Sequence, residues 1–250
     1  MSTHFSCVGC GKCCTDHHVP LTLTEARQWA ADGGQVIVLV EAFLADGLGQ
    51  PEQQRDHVLR RSWGVPSGHA EARVAITFAA YNVGPCRNLD EDLLCRIYQR
   101  RPLVCRIYPM EINPHIPLRP EAKDCPPEAW LDTQPLLIVG EQLQDPELVR
   151  LIEASRQADR DDIQAKEVIC ARLGIHTTAL KGDGFTAYLP LMSAFAEAID
   201  QVQQLTHWPA ASEWSFHVSG PTIAGQLQAE GARVVSEAAT TYAFIPLQAA

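Results

Sequence analysis

The chain has 250 residues, 30 Asp and Glu against 20 Lys and Arg, a net charge of −10, and nine cysteines. That length, with 46% hydrophobic residues, suffices for one large domain or two small ones with real cores. The acidic balance argues against nucleic acid as a partner, because phosphate binding needs a cationic face; no apolar run approaches the roughly 18–20 residues of a membrane span.

Residues Met1 to Cys7 carry neither the positive stretch nor the apolar core of a secretory signal, so a reducing, cytoplasmic setting is expected. There the cysteines stay as thiols, and metal coordination or catalysis is what accounts for them. Thr24 to Gly34 reads as a short helix with Thr24 as N-cap and Gly33 or Gly34 as its stop. Val36 to Val40 is a strand-sized apolar run. Residues 45–72 are polar and punctuated by Gly and Pro, and are expected as loop with a helical turn set. Arg73 to Tyr81 places Val74, Ile76 and Phe78 on one side, the alternation of a half-buried strand. Cys86 to Tyr98 is expected as a hairpin turning at Asp90, Glu91 and Asp92, and Arg101-Pro102 as a helix start with Pro102 at its first position.

Pro114, Pro117, Pro120, Pro126, Pro127 and Pro135 exclude continuous helix and put a boundary near residue 133. Residues 1–133 are then a cysteine-cluster, metal-binding domain and residues 134–250 an α+β domain of unknown role. Charge divides similarly, with a net of −2 over residues 1–130 and −8 over the rest. Leu136 to Val139 is a second strand-sized run. Asp145-Pro146-Glu147 opens a helical pattern through Leu148, Leu151, Ile152, Ile163 and Ile169 to Gly174. Gly182-Asp183-Gly184 reads as a hairpin turn. Pro190 starts a helix with Phe195, Ile199 and Val202 on one face. Trp214 to Val218, Thr222 to Glu230 and Arg233 to Glu237 suggest strand, helix and strand, and Thr241 to Leu247 a final strand. The fold class is therefore α+β: an irregular, metal-stapled cysteine-rich half with short helices and a hairpin, followed by a C-terminal α+β region.

Eight of the nine cysteines fall in the first half, and only Cys170 lies beyond, on a helical face where it reads as a buried apolar residue. Cys7-Val-Gly-Cys10-Gly-Lys-Cys13-Cys14 is the strongest motif. Its C-x2-C steps let thiolates converge on one metal, and Gly9 and Gly11 permit the tight turns this needs. Successive C-x2-C steps occur in zinc knuckles and in ferredoxins, where a remote Cys followed by Pro completes the site, as Cys125-Pro126 does in form. Neighbouring side chains of an extended chain point apart, so Cys13 and Cys14 are not expected on one tetrahedral ion. Cys86, Cys95, Cys105 and Cys125 can complete one site or form a second. Asp16-His17-His18 reads as an exposed polar turn, and Ser219 to Thr222 as a helix cap without the spacing of a phosphate loop.

The run Cys7-x2-Cys10-Gly-x-Cys13-Cys14, followed by Cys86-x8-Cys95-x-Ile97-Tyr98-x2-Arg101-Pro102-x2-Cys105-Arg106-x-Tyr108-Pro109, resembles the CxxCxxCC family of zinc- or iron-chelating domains over about the first half of the chain. The resemblance implies a metal site built from Cys7, Cys10, Cys13, Cys14, Cys86, Cys95 and Cys105, with Cys125 as a late member. Some members are flagellin lysine methylases, similarly described as holding an iron–sulfur cluster; the second half of the chain has no counterpart there.

Arg87, Arg96, Arg100, Arg101 and Arg106 gather cations around Cys86, Cys95 and Cys105 in an otherwise acidic protein. A metal held by four thiolates carries a net negative charge that guanidinium groups stabilise, and cations favour the thiolate form. Arg101 and Arg106 are the two expected to serve the site, with Tyr98 and Tyr108 closing it against water; the plainer alternative pairs both arginines with Asp90, Glu91 and Asp92. The surplus of cysteines beyond four, the vicinal pair and the ferredoxin-like triplet favour a [4Fe-4S] iron–sulfur cluster over zinc. The leading expectation is a cytoplasmic protein holding one or two such clusters and acting in redox chemistry, or modifying a protein or small-molecule substrate. A structural-zinc protein whose C-terminal region is a binding module is the second. An S-adenosylmethionine-dependent lysine methyltransferase is the third, and the absence of a glycine-rich cofactor loop counts against it.

Overall fold

A computed structural model describes residues 2–45, 52–235 and 239–247. The first elements are β1 (Ser2–His4), a 3-10 turn at Lys12–Cys14, β2 (Val19–Leu21), α1 (Leu23–Ala31) and β3 (Val36–Leu44). Next come α2 (Arg55–Arg60), β4 (Trp63–Ser67), β5 (Ala70–Ala80), α3 (Leu103–Ile107), β6 (Leu136–Val139) and β7 (Gln142–Leu143). Then follow α4 (Pro146–Asp161), α5 (Ile163–Arg172), β8 (Thr177–Leu180), β9 (Gly184–Tyr188), α6 (Met192–Gln203), β10 (Ser215–His217), α7 (Pro221–Ala229) and β11 (Ala243–Pro246). The mixture of helices and sheets is α+β, as the sequence leads one to expect. No helix among the described residues is long and apolar enough to cross a membrane.

By contact the chain divides into two compact units, neither continuous in sequence. One is Met1–Thr22 with Tyr81–Ala158, the other Leu23–Ala80 with Asp159–Ala250. The boundary expected near residue 133 divides the chain by composition, whereas these units divide it by contact.

In the first unit β1 runs antiparallel to β6, pairing Ser2 with Val139 and His4 with Leu136, and β7 folds back on β6. The turn between β6 and β7 needs Gly140, whose φ is +62°. Ile107, Leu137, Leu148 and Ile152 form a buried cluster with Phe5, Met110 and Ile112 packed around it. Burying each such side chain stabilises by roughly 1.5–3 kcal/mol, so this small core is modest support for so long a run of irregular chain. The hairpin expected over Cys86–Tyr98 is reduced to a single bridge between Leu89 and Cys95. Asp90 Oδ1 accepts the N–H groups of Asp92 and Leu94, so a side chain satisfies backbone that a ladder would otherwise pair. Pro102 stands at the N-cap of α3, one position earlier than expected.

The second unit is built on a sheet in which β10, β8, β3 and β5 lie in that order. β3 and β5 pair antiparallel from Val36 opposite Ala80 to Leu44 opposite Ala72. β3 is buried almost throughout, the continuous apolar run of a central strand. Its one carboxylate, Glu41, takes a 2.6 Å ion pair from Lys181. β8 runs parallel to β3 and β9 antiparallel to it, joined through the turn expected at Gly182 to Gly184, and β11 adds to β9. α1 and α5 pack against the sheet and α6 packs on both. Phe78 of β5 meets Phe195 of α6 edge-on at 5.0 Å.

Two expectations are corrected here. Within residues 45–72 the expected helical turn is α2, but β4 replaces part of the loop, for β4 pairs with β5 from Trp63 opposite Val74 to Ser67 opposite Ala70, and residues 46–51 lie outside the described ones. Gly64 and Pro66 conceal this strand in the sequence, yet an edge position tolerates proline. The helical run from Pro146 to Gly174 is two helices parted at Asp162, whose carboxylate instead accepts the first N–H of α1, from Leu23, at 2.7 Å. The strand expected over Arg233–Glu237 survives as one bridge between Phe216 and Val234, and its last two residues lie outside the described ones.

Candidate metal centre

The eight clustered cysteines all belong to the first unit. Gly9 and Gly11 have φ of +66° and +70°, so the tight turns anticipated between Cys7 and Cys13 are present. Their missing side chains also matter, because a Cβ on Gly9 would come within 3.0 Å of Leu94 and one on Gly11 within 3.3 Å of Leu93. The motif is thereby laid close against the turn that follows Asp90.

Cys13 and Cys14 end the 3-10 turn that Gly11 opens, with the Cys14 N–H donating to the Gly11 carbonyl at 3.0 Å. They are not in the extended conformation assumed from sequence, yet successive residues at three per turn still project about 120° apart. Their sulfurs are 3.9 Å from each other. A hydrogen bond from Cys13, with Arg101 and His17 nearby, lowers the Cys14 thiol to about 6, whereas the same bond raises Cys13. The bond thus favours ionisation of Cys14 at the expense of Cys13.

Cys14 joins the distant cysteines through the main chain. The Cys86 N–H donates to the Cys14 carbonyl at 2.6 Å and the Asp16 N–H to the Gly84 carbonyl at 2.8 Å. Gly84 N–H donates in turn to Asp16 Oδ1 at 2.6 Å, so the residues after Cys14 are stitched to those before Cys86. Cys95 is held across from Leu89, and Arg96 N–H donates to the Asn88 carbonyl at 2.8 Å. Cys105, in α3, is pushed up to about 12, first by burial and then by the thiols of Cys14 and Cys86. Burial also raises Cys86, and the thiols of Cys14 and Cys95 add to that.

On the other side, Ser6 N–H donates to the Ala129 carbonyl at 3.0 Å, which ties the start of the motif to the chain just beyond Cys125. Burial raises Cys125, with the thiols of Cys10 and Cys7 adding to it and the Tyr108 hydroxyl, 3.2 Å from its sulfur, opposing. Burial first, and the bond to Cys125 second, push the Tyr108 hydroxyl up as well, so it stays protonated and able to donate. Phe5 packs on Trp130 at 4.7 Å and edge-on to Tyr108 at 6.1 Å, walling this side with aromatic rings. An open hollow of about 530 Å³ adjoins Cys10, lined also by Lys12, Thr15, His17, Leu93 and Asp124. His17 Nδ1 lies 2.6 Å from the Thr15 carbonyl and its Nε2 3.4 Å from Asp124. Asp124 and Lys12 had no signal in the sequence beyond their adjacency to cysteines.

Of the two expected cations, Arg101 faces the cysteines. Its guanidinium lies 3.7 Å over the half-exposed Tyr98 ring, its Nε donates to the Tyr98 carbonyl at 3.0 Å, and its charge favours the thiolates of both Cys14 and Cys105. Arg106 meets Glu147 at 3.5 Å. In the turn of the plainer arrangement, Asp90 is engaged by backbone. Arg87 favours ionisation of Cys86. Cys170 is wholly buried in α5, as expected.

Among the described residues no three His, Cys, Asp or Glu side chains are already arranged to hold a metal ion. The cysteines are neighbours, not a closed cage. Their chemistry fits a soft cation all the same, since neighbouring thiols oppose the ionisation of four of them, Cys13, Cys86, Cys105 and Cys125, and a positive ion among them reverses that opposition.

Residues 6–126 match the model of the CxxCxxCC family, described as a "putative zinc- or iron-chelating domain". The match spans just under half of the chain and takes in all eight clustered cysteines. No curated protein and no solved structure matches the chain. The family match supports metal binding.

Proposed function

We propose that the first unit binds metal through Cys7, Cys10, Cys13, Cys14, Cys86, Cys95, Cys105 and Cys125, as iron–sulfur of the four-iron type in preference to zinc. The protein then works in a reducing, cytoplasmic setting, in redox chemistry or in modifying a protein or small molecule. The observation that carries this reading is the meeting of the vicinal pair with cysteines some 70 to 110 positions away, Cys14 with Cys86 through a 2.6 Å hydrogen bond and Cys13 with Cys125 close enough for the Cys125 thiol to oppose the ionisation of Cys13.

A cluster held there supplies an electron-transfer couple or an iron able to take a further ligand, whereas zinc closed by four thiolates supplies a clasp alone. Arg101 offsets the negative charge that thiolates bring, and Tyr108 donates to the Cys125 sulfur. The aromatic wall of Phe5 and Trp130 limits water on that side. The open hollow beside Cys10 leaves that ligand within reach of solvent and small molecules.

The test is iron, zinc and acid-labile sulfide content of protein purified without oxygen, with its visible spectrum. Iron with matching sulfide and a brown colour supports the cluster. Zinc without sulfide overturns it in favour of a stapled scaffold, and the search for activity then moves to the second unit.

A further inference from the structure

We propose that the eight cysteines form two four-thiolate metal centres, one of Cys7, Cys10, Cys13 and Cys125 and the other of Cys14, Cys86, Cys95 and Cys105, which abut at the Cys13–Cys14 step. The inference rests on the chelation reading above and goes beyond it, because eight thiols alone are equally compatible with one centre and spare ligands.

Backbone bonds draw each set together, while Gly9 and Gly11 of the first set also pack on Leu94 and Leu93 of the loop between Cys86 and Cys95. Past Cys14 the chain is bonded to the segment entering Cys86, through Cys86 N–H to Cys14 carbonyl at 2.6 Å and the bridge between Thr15 and Pro85. The short loop from Cys86 returns on itself at the bridge between Leu89 and Cys95, so Cys95 follows Cys86 to the same place. Ahead of Cys10 the chain is bonded elsewhere, Ser6 to Ala129, in the segment that carries Cys125. Cys10 and Asp124 line one hollow.

The electrostatic neighbours fall the same way. Cys13 opposes Cys7 and Cys125, and Cys125 opposes Cys7 and Cys10. Cys14 acts on Cys86 and on Cys105, and Cys95 acts on both of those. The sets meet at the vicinal pair, whose side chains leave the 3-10 turn about 120° apart. One thiol of the pair is thus directed to each set, and the 3.9 Å between their sulfurs makes the two centres adjacent. A doubled cysteine has this purpose, as a single residue at that point would serve one centre only.

The experiment is a Co²⁺ titration of the reduced, metal-free full-length chain, followed by thiolate-to-cobalt absorption, on wild type and on two double variants, Cys7→Ser/Cys125→Ser and Cys86→Ser/Cys105→Ser. The proposal expects saturation at two equivalents for wild type and at one for each double variant, a loss of half the uptake. Saturation of wild type at one equivalent, abolished by either double variant, overturns the two-centre assignment and leaves chelation standing. No uptake by wild type, together with no metal in protein as isolated, overturns chelation itself; no uptake with metal present as isolated overturns the two-centre assignment alone. Wild type also gives an answer free of any folding defect in the variants. At one equivalent of Co²⁺, alkylation followed by mass spectrometry is expected to find protected thiols in groups of four drawn from one set, and protected groups that mix the sets overturn the proposal.

Discussion

The hydroxyl of Tyr108 lies 3.2 Å from the sulfur of Cys125, with burial keeping the phenol protonated. A phenol in that position donates to a thiolate, and a hydrogen bond to a charged acceptor contributes about 1.5–3 kcal/mol. Tyr108→Phe keeps the ring and its contact with Phe5 while removing the donor. Metal affinity in a chelator competition is expected to fall roughly 10- to 100-fold, the usual cost of losing a partner to a ligand. Unchanged affinity would show that the hydroxyl does not serve the site.

Arg101 and Arg106 are separable. Arg101 sits over Tyr98 with its charge directed at Cys14 and Cys105, whereas Arg106 is engaged with Glu147. Arg101→Gln is therefore expected to weaken metal retention about tenfold and Arg106→Gln to leave it within a factor of about two. Equal losses in the same competition would refute the distinction.

In the second unit Lys166 is 2% exposed and depends on Asp159, 3.0 Å away, which also pairs with Arg61 at 2.7 Å. Asp159→Asn leaves a buried ammonium without its counter-charge, at a cost of about 3–5 kcal/mol in urea unfolding. The pH dependence has a definite sign. Burial alone would push the Asp159 carboxyl up, but Lys166 and Arg61 outweigh it and hold it below the usual range. A depressed folded pKa gives stability that is complete above the unfolded value and lost as pH falls through the folded one. The stability gap between wild type and Asp159→Asn should thus hold steady above about pH 4 and narrow below it. A gap that widens in acid would contradict the assignment.

Gly68 turns β4 into β5 at φ +62°, and a Cβ there would stand 2.6 Å from the Gly231 carbonyl oxygen. Gly68→Ala is expected to destabilise by more than about 1 kcal/mol, read as a lower urea midpoint with unchanged slope. No shift would mean that this turn relaxes freely.

Local signals carried much of the fold and little of the site's assembly. The alternation of Val74, Ile76 and Phe78 and the spacing of Phe195, Ile199 and Val202 depend on which face a residue shows, and each of these six is buried where the period places it. β4 was hidden because Gly64 and Pro66 read as loop, and only pairing with β5 makes that segment a strand. The split at Asp162 was hidden because its carboxylate answers Leu23, far away in sequence. For the site, the residue types and the turns at Gly9 and Gly11 were legible, being local. Which cysteines neighbour one another was not, since Cys14 reaches Cys86, and Cys13 reaches Cys125, through bonds and charges that no spacing encodes.

The most direct test of the central claim compares metal content, per chain and by elemental analysis, in wild type, Cys105→Ser and Cys170→Ser purified identically without oxygen. Cys105 is half-buried beside Cys14 and Cys86, whereas Cys170 is wholly buried in the apolar core of the second unit. The account predicts metal in wild type and in Cys170→Ser, and a marked loss in Cys105→Ser. Equal metal in all three, or none in wild type, would contradict it.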